Sequence, residues 1–349
     1  MAVKREIIAV FLIAGIGDLV MASKSLRAIR NGFPDSEIHL LTSTEASVLA
    51  ENYPYVDRVR SFPVRELRND RFHIFRVPKL IGSLRTVEFD TAINLYRISS
   101  WFGALKMGML FSLLRARCKV GHDHKGFGLF LHKKAPAGIF RKRHLADAML
   151  DIARMAGGVP DDKGVEVFWK KGCEQGWMHL FPREKRKPII GINPGADRPH
   201  KRWNQGRYAV MADRIIEQLG AKVILLGGPG EEGIAKRIQA GMKNKAIDLA
   251  GRLTLNVLAC VINELDLLVT NDSGPMHIAA ALKTPIVAIF GPEDPIYSRP
   301  CTSPDLYRII NAQVDCRPCI KDSCARPICL ERITPEEVIE KCLEMLAES

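Results

Sequence analysis

One stretch near the end of the chain, residues 265–295, constrains the fold most strongly, because it has the order strand, loop, helix, strand. Its first apolar run, Leu267–Val269, is typical of a strand buried in a parallel sheet. Asn271–Pro275 then supplies turn and N-cap chemistry, and a proline suits a first helical turn, where its missing N–H would have had no partner. Small residues favour a closely packed helix, and Ile286–Phe290 predicts the next strand. This order predicts an α/β fold.

The helix in this stretch would begin at the carboxyl end of a buried strand. Its first N–H groups and the positive end of its dipole would then suit a phosphate or diphosphate. Asp272 could accept a hydrogen bond from a ribose hydroxyl or simply cap the helix, and His277 could face the ligand or pack. A well-capped crossover helix without a ligand would give the same pattern.

The alternation of apolar runs and helical segments recurs along the chain and begins with a candidate strand at residues 7–13. A sharp turn that contains Gly15 and Gly17 leads from it into a helix. The two glycines let the backbone approach a ligand closely, but no third glycine completes the dinucleotide-binding fingerprint. Asp18, at the start of this helix, could cap it or could act as a general base in a cleft. The repeated alternation predicts a doubly wound sheet.

The second half of the chain repeats the pattern and adds a basic loop. After a predicted strand, Asn193 and Gly195 turn into a loop that carries Lys201 and Arg202. The ammonium group of a lysine in such a loop is a point charge suited to phosphate oxygens. Arg202 could do the same or pair with a surface carboxylate, and Trp203 is expected to anchor the loop to the core.

The composition indicates a globular protein with a basic surface. The chain has 349 residues and is long enough for two domains. Hydrophobic residues make up 47% of it, and its formal net charge is +12. Basic residues concentrate in segments 58–85 and 133–143. A solvated face, an anionic membrane surface or a phosphorylated acceptor would explain them, whereas no nucleic-acid-binding module is recognisable. The first apolar run is too short for a signal peptide, so we expect a cytoplasmic protein.

Two groups of residues could in principle bind a metal. The first group comprises His122, His124 and His132. For this segment a glycine-rich surface loop is favoured over a metal site. The second group comprises Cys316, Cys319, Cys324 and Cys329. These cysteines are spaced closely enough for zinc, an iron–sulfur cluster or local disulfides. A cytoplasmic compartment disfavours stable disulfides. We expect a structural role for these cysteines rather than a catalytic one.

Four ordered motifs of the chain resemble glycosyltransferase family 9, the ADP-heptose:lipopolysaccharide heptosyltransferases. They are GIGDLVMASKSLRAIRNGFP at 15–34, INPGADRPHKRWNQGRYAVMADRI at 192–215, LLGGPGEEGIAKRI at 225–238, and NDSGPMHIAAAL with PIVAIFGPEDP at 271–295. The resemblance therefore runs from the first strand to the last helix. It implies a GT-B architecture, in which two Rossmann-like doubly wound domains face a central cleft.

The domain bounds follow from the two alternating halves and the charged segment between them. We expect residues 1–171 to form an acceptor-binding domain and residues 188–333 a nucleotide-sugar-binding domain, with 172–187 as the linker. Residues 334–349 are expected to form a terminal helix that packs back on the N-terminal domain.

The resemblance also implies the chemistry: an inverting transfer of heptose from ADP-L-glycero-D-manno-heptose to a phosphorylated lipopolysaccharide core glycolipid, without a cofactor. Asp18 matches the catalytic aspartate of the family. Lys201 would stabilise the leaving diphosphate. The chain has no D-x-D carboxylate pair, which many metal-dependent glycosyltransferases need. The other expected substrate-binding residues are Gly15, Gly17, Asn193, Gly195, Arg202, Glu232 (with Glu231 as the alternative), Asp272, Ser273, Gly274, Pro275, Met276 and His277.

Some alternatives stay open from the residues alone. Ala196-Asp197 stands where several family members have a hydroxyl residue, and Asn204 stands where proline is usual. A GT-B transferase of another nucleotide sugar, or a non-catalytic protein that binds a nucleotide sugar or glycolipid, would carry similar motifs. A cytoplasmic enzyme with a glycolipid acceptor is also expected to touch the inner face of the inner membrane peripherally.

Overall fold

The chain divides into two compact units, Met1–Phe168 and Trp169–Ser349. Each is built around a six-stranded parallel sheet. Most of the predicted linker, residues 173–186, lies outside the described part of the chain. The computed structural model describes residues 5–63, 82, 84–98, 100–123, 126, 128–136, 138–140, 142–172, 187–319 and 323–348.

The sheet of the first unit has the strand order β3-β2-β1-β4-β5-β6, and every neighbouring pair is parallel. The central strand is an uninterrupted apolar run because helices cover both faces of such a sheet. Connections leave it in both directions, so the strand order reverses between β1 and β4, and ligands of open α/β sheets bind at such a point. The elements are β1 (Ile7–Leu12), α1 (Ile16–Gly32), β2 (Glu37–Ser43), α2 (Thr44–Ala50), β3 (Arg58–Phe62), β4 (Glu88–Asn94), α3 (Trp101–Leu113), β5 (Arg115–His122), β6 (Lys133–Ala135) and α4 (Leu145–Ala156).

The second unit repeats this topology with the order β12-β11-β10-β7-β8-β9, again all parallel. Its reversal point lies between β7 and β10. The elements are β7 (Ile189–Asn193), α5 (Gln205–Leu219), β8 (Lys222–Leu225), α6 (Glu232–Gly241), β9 (Ile247–Asp248), α7 (Leu255–Asn263), β10 (Leu267–Asn271), α8 (Gly274–Leu282), β11 (Ile286–Ile289), α9 (Pro295–Ser298), β12 (Tyr307–Ile310), α10 (Ile328–Glu331) and α11 (Pro335–Ala347).

The predicted fold class, two Rossmann-like doubly wound units, is confirmed. Residues 265–295 contain β10, α8 and β11, the strand, helix and strand that the sequence predicts. The first helix begins earlier than its apolar pattern indicated. Gly15, in extended backbone, is its N-cap, and Gly17 already lies inside the helix.

The terminal helix α11 starts where the sequence predicts, with a capping box formed by Thr334 and Glu337. Its packing differs from the expectation. Val338 and Cys342 are buried in the core of the second unit, against α5 and the strands β10 to β12. The sequence shows which face of the helix is apolar but not which surface covers that face. The expected partner, the N-terminal domain, therefore differs from the one that the structure shows.

Candidate active site

In the first unit, the turn after the central strand carries the candidate base. The carboxylate of Asp18, at the third position of α1, accepts a hydrogen bond from the backbone N–H of Gly15 at 3.2 Å. This contact satisfies one of the N–H groups that the start of a helix leaves without an intrahelical partner. Because α1 directly follows β1, the carboxylate lies at the carboxyl edge of the first sheet.

In the second unit, the buried Asn271 at the end of β10 holds two parts of the basic loop. Its Nδ2 donates to the carbonyl oxygen of Pro194 at 2.8 Å, and its Oδ1 accepts from the backbone N–H of Trp203 at 3.1 Å and from the Tyr208 hydroxyl at 3.0 Å. Every polar atom of this side chain is therefore satisfied, as a buried amide requires. Sequence reasoning missed this role, although the residue directly precedes Asp272.

The indole of Trp203 anchors the loop, as predicted. The ring is buried, and its Nε1–H donates to the carbonyl oxygen of Ile333 at 3.1 Å. Asn204, where the family usually has proline, is the N-cap of α5, and its side chain accepts from the N–H of Arg207. Asparagine is a good N-cap, so this departure from the family pattern leaves the helix start intact.

Lys201 forms the electrostatic centre of the site. Its ammonium group lies 2.8 Å from the carboxylate of Asp272 and 3.2 Å from that of Glu293, and both Lys201 and Asp272 are largely shielded from solvent. Burial alone would lower the pKa of Lys201, but the two carboxylates outweigh it and raise that pKa above its ordinary value. Asp272 does not cap α8; it pairs with this lysine and accepts from the Ser298 hydroxyl at 3.3 Å.

The start of α8 is left open towards a ligand because Ser273 does not cap it. The Ser273 hydroxyl lies 3.1 Å from Thr270 Oγ1 and accepts from Asn193 Nδ2 at 3.2 Å. Pro275 has no N–H, and the N–H of Met276 donates to the carbonyl oxygen of Ser273. The donors that this turn can offer are thus the N–H groups of Ser273 and Gly274.

The guanidinium of Arg202 turns back on its own loop. Its Nε and Nη2 donate to the carbonyl oxygen of Ala196 at 2.9 and 2.7 Å, and Nη2 lies 3.9 Å from the carboxylate of Glu231. The carboxylate of Glu231 also accepts from the N–H of Gly228 at 2.8 Å and packs against Gly195, where an added Cβ would overlap it. These contacts give Arg202 a loop-shaping role, and they explain why position 195 is a glycine.

Glu232, the residue preferred over Glu231 for substrate binding, is the first residue of α6. Its carboxylate accepts from the N–H of Gly230 at 3.2 Å, and this and other backbone hydrogen bonds lower its pKa. It packs against Gly251, where an added Cβ would overlap the carboxylate. The φ of +73° at position 251 independently favours glycine. The carboxylate is accordingly charged and held between two glycine-containing turns.

The predicted residues thus fall into three places. The carboxyl ends of β7, β10 and β11 bring together most of the donor-site residues, with His277 buried behind them. Glu232 begins α6, directly after the turn that follows β8, and β8 neighbours β7 in the sheet. Gly15, Gly17 and Asp18 lie in the other unit. Glu293, after β11, was missed by sequence reasoning; its place after a strand of the same sheet was the available signal.

The segment with the three histidines differs in part from the predicted surface loop. His122 is buried at the end of β5, where its Nε2 accepts from the N–H of Ile98, and His132 Nδ1 accepts from the N–H of Lys119. This segment is therefore partly strand rather than a surface loop; His124 lies outside the described residues. Cys316, Cys319, Cys324 and Cys329 are unbridged thiols. Within the described ranges, no three His, Cys, Asp or Glu side chains are arranged to hold a metal ion.

Two Rossmann-like units, the second with a cation and an open helix start at the reversal point of its sheet, define the class of GT-B glycosyltransferases. The family model Glycosyltransferase family 9 (heptosyltransferase) matches residues 77–328. The chain belongs to this family and is a heptosyltransferase-type enzyme.

Individual proteins agree with this assignment. Lipooligosaccharide heptosyltransferase 2 of Campylobacter jejuni is 31% identical over 343 residues, which cover 96% of each chain. A family 9 glycosyl transferase from Veillonella parvula is similar in structure, with a TM-score of 0.81 and 24% identity over 100% of this chain and 99% of that one. The E. coli ADP-heptose lps heptosyltransferase II has a TM-score of 0.75 and 23% identity, over 98% of this chain and 99% of that one.

None of the helices in the described ranges is long and apolar enough to cross a membrane.

Proposed function

We propose that this protein transfers a heptose from ADP-L-glycero-D-manno-heptose to a phosphorylated lipopolysaccharide core acceptor, with inversion at the anomeric carbon. Similar proteins support the two substrates. The E. coli structure is that of an ADP-heptose lps heptosyltransferase, and the Campylobacter jejuni relative is a lipooligosaccharide heptosyltransferase. The second unit binds the donor and the first unit binds the acceptor. The reaction takes place in the cytoplasm, at the inner face of the inner membrane.

Asp18 is the general base. As the acceptor hydroxyl oxygen attacks the anomeric carbon, its proton passes to the carboxylate, and the bond between that carbon and the diphosphate breaks. ADP leaves from the opposite side of the carbon, which inverts its configuration. The contact with the N–H of Gly15 orients the carboxylate before the attack.

Lys201 and the start of α8 receive the charge that develops on the diphosphate. The single observation that carries the proposal is the ion-paired Lys201, held by Asp272 and Glu293 beside the open N-terminus of α8. An ammonium group has three donors, and two of them are directed to the carboxylates, which leaves the third for a phosphate oxygen. Donors aimed at developing charge are commonly worth a few kcal/mol.

The same cationic set supports a metal-independent reaction. In a metal-dependent glycosyltransferase a divalent ion neutralises the diphosphate, and a carboxylate pair such as D-x-D holds that ion. No such pair occurs in the sequence. Lys201, the two N–H donors at the start of α8 and the dipole of that helix supply positive charge at the corresponding place.

The test is a calorimetric titration with ADP, UDP, GDP and CMP, without added metal, on the wild type and on Lys201→Ala. We expect ADP to bind most tightly and to bind roughly 10- to 100-fold more weakly to the variant, as the loss of a charge-assisted hydrogen bond predicts. Lys245→Ala, at an exposed lysine of the same unit, is the matched control and should bind ADP like the wild type.

Two results would contradict parts of the proposal. A preference for another nucleotide would replace the donor while leaving the family and fold unchanged. Equal ADP affinity in the wild type and in Lys201→Ala would remove the lysine from the diphosphate site. If ADP binds as expected, transfer from synthetic ADP-heptose to a lipopolysaccharide core acceptor, followed by NMR, reports the anomeric configuration of the product.

A further inference from the structure

Helix α3 is apolar on two opposite faces. Ala104 and Phe111 are buried in the core of the first unit, against its sheet. On the other side, 71% of Phe102 and 53% of Met109 are exposed, and Leu105 is exposed as well. The helix contains one charged residue, a lysine. A helix that is apolar all round is normally buried in a core or in lipid, so the outer face calls for a covering partner.

A neighbouring segment extends this apolar face into a groove of about 520 Å³. Leu129 and Phe130, from the segment before β6, form its other wall, and 86% of Leu129 is exposed. The groove therefore forms a continuous apolar surface rather than scattered apolar residues. Surfaces of this kind on a protein mark contacts with a partner or a membrane.

The segment of the chain that carries this surface is strongly basic in sequence. Residues 101–135 contain seven lysines and arginines, and Asp123 is their one acidic residue. Arg115, the first residue of β5, and Lys133 and Lys134, just after the groove wall, are exposed. A second copy of the chain would bring like charges together across a two-fold interface, which disfavours self-association. Exposed apolar residues flanked in sequence by exposed basic residues match the acyl and headgroup layers of an anionic bilayer.

We propose that α3, together with Leu129 and Phe130, is the surface by which the protein docks on an anionic lipid bilayer. Leu105, Met109 and Leu129 enter the boundary between headgroups and acyl chains, while Lys133 and Lys134 contact anionic headgroups. The inference rests on the proposed function in one respect: the acceptor is a glycolipid.

The connectivity of the first unit agrees with this docking. Helix α3 follows β4, and Asn94 of β4 is paired with Phe11 of the central strand β1. Both strands therefore end at the edge where Asp18 lies, and the first turn of α3 starts from that edge. A bilayer that contacts α3 thus presents the headgroup of a membrane-bound acceptor on the side of the candidate base.

The experiment is flotation of the full-length protein with two kinds of vesicle. One kind contains phosphatidylethanolamine and phosphatidylglycerol, and the other contains phosphatidylcholine alone. An apolar variant, Leu105→Gln with Met109→Gln, and a charge variant, Lys133→Glu with Lys134→Glu, are compared with Val159→Gln. Val159 is exposed in the same unit outside this surface. Thermal unfolding and turnover on a soluble, deacylated acceptor are measured for every variant.

We expect the wild type and Val159→Gln to float with anionic vesicles and not with phosphatidylcholine. The charge variant should bind roughly tenfold or more weakly, since each basic residue near the surface contributes several-fold in affinity. The apolar variant should lose roughly tenfold because its side chains no longer enter the acyl boundary. Turnover on the deacylated acceptor should stay unchanged in both variants, so a failure of docking is separable from a failure of the proposed function.

Three results would overturn the inference. The first is a wild type that floats with neither vesicle, or variants that float as well as the wild type. The second is a wild-type dimer in solution that Leu105→Gln with Met109→Gln converts to a monomer, because a second copy would then cover the face. The third is an apolar variant with normal vesicle binding that turns over only the acylated acceptor more slowly, which would assign the groove to the acceptor's acyl chains.

Discussion

Lys201 has a charge state that depends on two carboxylates. Its pKa is raised above the ordinary 10.5, so the folded protein holds this proton more tightly than the unfolded chain does. The stabilisation from the ion pairs is therefore complete below the ordinary pKa and is lost as the pH rises through the higher pKa of the folded protein. At neutral pH the lysine is a permanent cation.

A pH series tests this charge state. The ratio of the dissociation constants for ADP between Lys201→Ala and the wild type should stay constant from about pH 6.5 to 9, because the lysine does not titrate there. Calorimetric titration at several pH values measures this ratio. A ratio that shrinks towards one below about pH 9 would show that the lysine loses its proton at the site and that the carboxylates do not hold it.

Asp18 should act on turnover and not on donor affinity. Asp18→Asn keeps an oxygen that accepts the N–H of Gly15 but removes the group that takes the proton, so we expect kcat to fall by roughly 100-fold or more. The dissociation constant for ADP should change by less than about twofold, because no charge-assisted bond to the nucleotide is lost. Steady-state kinetics and calorimetry measure the two quantities.

Glu45→Gln is the control for Asp18→Asn, since Glu45 lies in the first turn of α2 in the same unit and has no proposed role. It should leave kcat unchanged. If Asp18→Asn retained full turnover, Asp18 would be a helix-capping residue only.

For single residues, the sequence indicates which side chains stand at the strand ends but not which of these side chains contact one another. The positions of Asn193 and Asp272 follow from parallel strands, whose carboxyl ends meet at one edge of a sheet. The ion pair between Lys201 and Asp272 joins residues 71 positions apart and depends on how the basic loop folds back. The same holds for Arg202, whose carbonyl contact with its own loop leaves no trace in its spacing.

Strand β7, at the centre of the second sheet, requires a glycine at position 191. An added Cβ there would overlap Cδ1 of Leu265 and lie 3.3 Å from Cδ1 of Leu268. Gly191→Ala should therefore lower the free energy of unfolding by about 1–3 kcal/mol, the usual cost of overpacking a core. Chemical denaturation measures the change. In a Leu265→Ala background the same substitution should cost much less, because the overlapping methyl group is gone.

A matched glycine substitution controls for the loss of backbone freedom. Gly233→Ala, in α6, places its Cβ no closer than 3.4 Å to Arg237 Nη1 and should be neutral or stabilising by up to about 1 kcal/mol. Equal costs for Gly191→Ala in both backgrounds would show that the overlap with Leu265 does not set the requirement at position 191.

The elements differ in how well sequence predicts them. Helix α8 and its flanking strands were predictable because a proline in the first helical turn and apolar runs are local signals. The partner of α11 was not, because its apolar face would fit any sheet face of the right width. His122 was assigned to a loop because the glycines around it obscure a strand pattern that is fixed by pairing with β4 and β6.

At the scale of the whole molecule, each unit has a hydrophobic core of its own. The core of the second unit includes Trp203, Tyr208 and residues of α11, whereas that of the first unit includes Phe11 and Phe111. The groups proposed to bind the diphosphate, Lys201 and the start of α8, both belong to the second unit. Donor binding and catalysis should therefore be separable by dividing the chain.

We expect residues 169–349, expressed alone, to fold and to bind ADP with a dissociation constant within about threefold of the full-length value, because a domain with its own core folds independently. This fragment should transfer no heptose, since the candidate base Asp18 is absent. Circular dichroism melting establishes that the fragment unfolds cooperatively, and calorimetry measures ADP binding; Lys201→Ala in the fragment should weaken binding by the same factor as in the full chain. A cooperatively folded fragment that binds ADP more than about tenfold more weakly would show that residues 1–168 contribute to nucleotide affinity, and the assignment of the donor site to the second unit alone would be wrong.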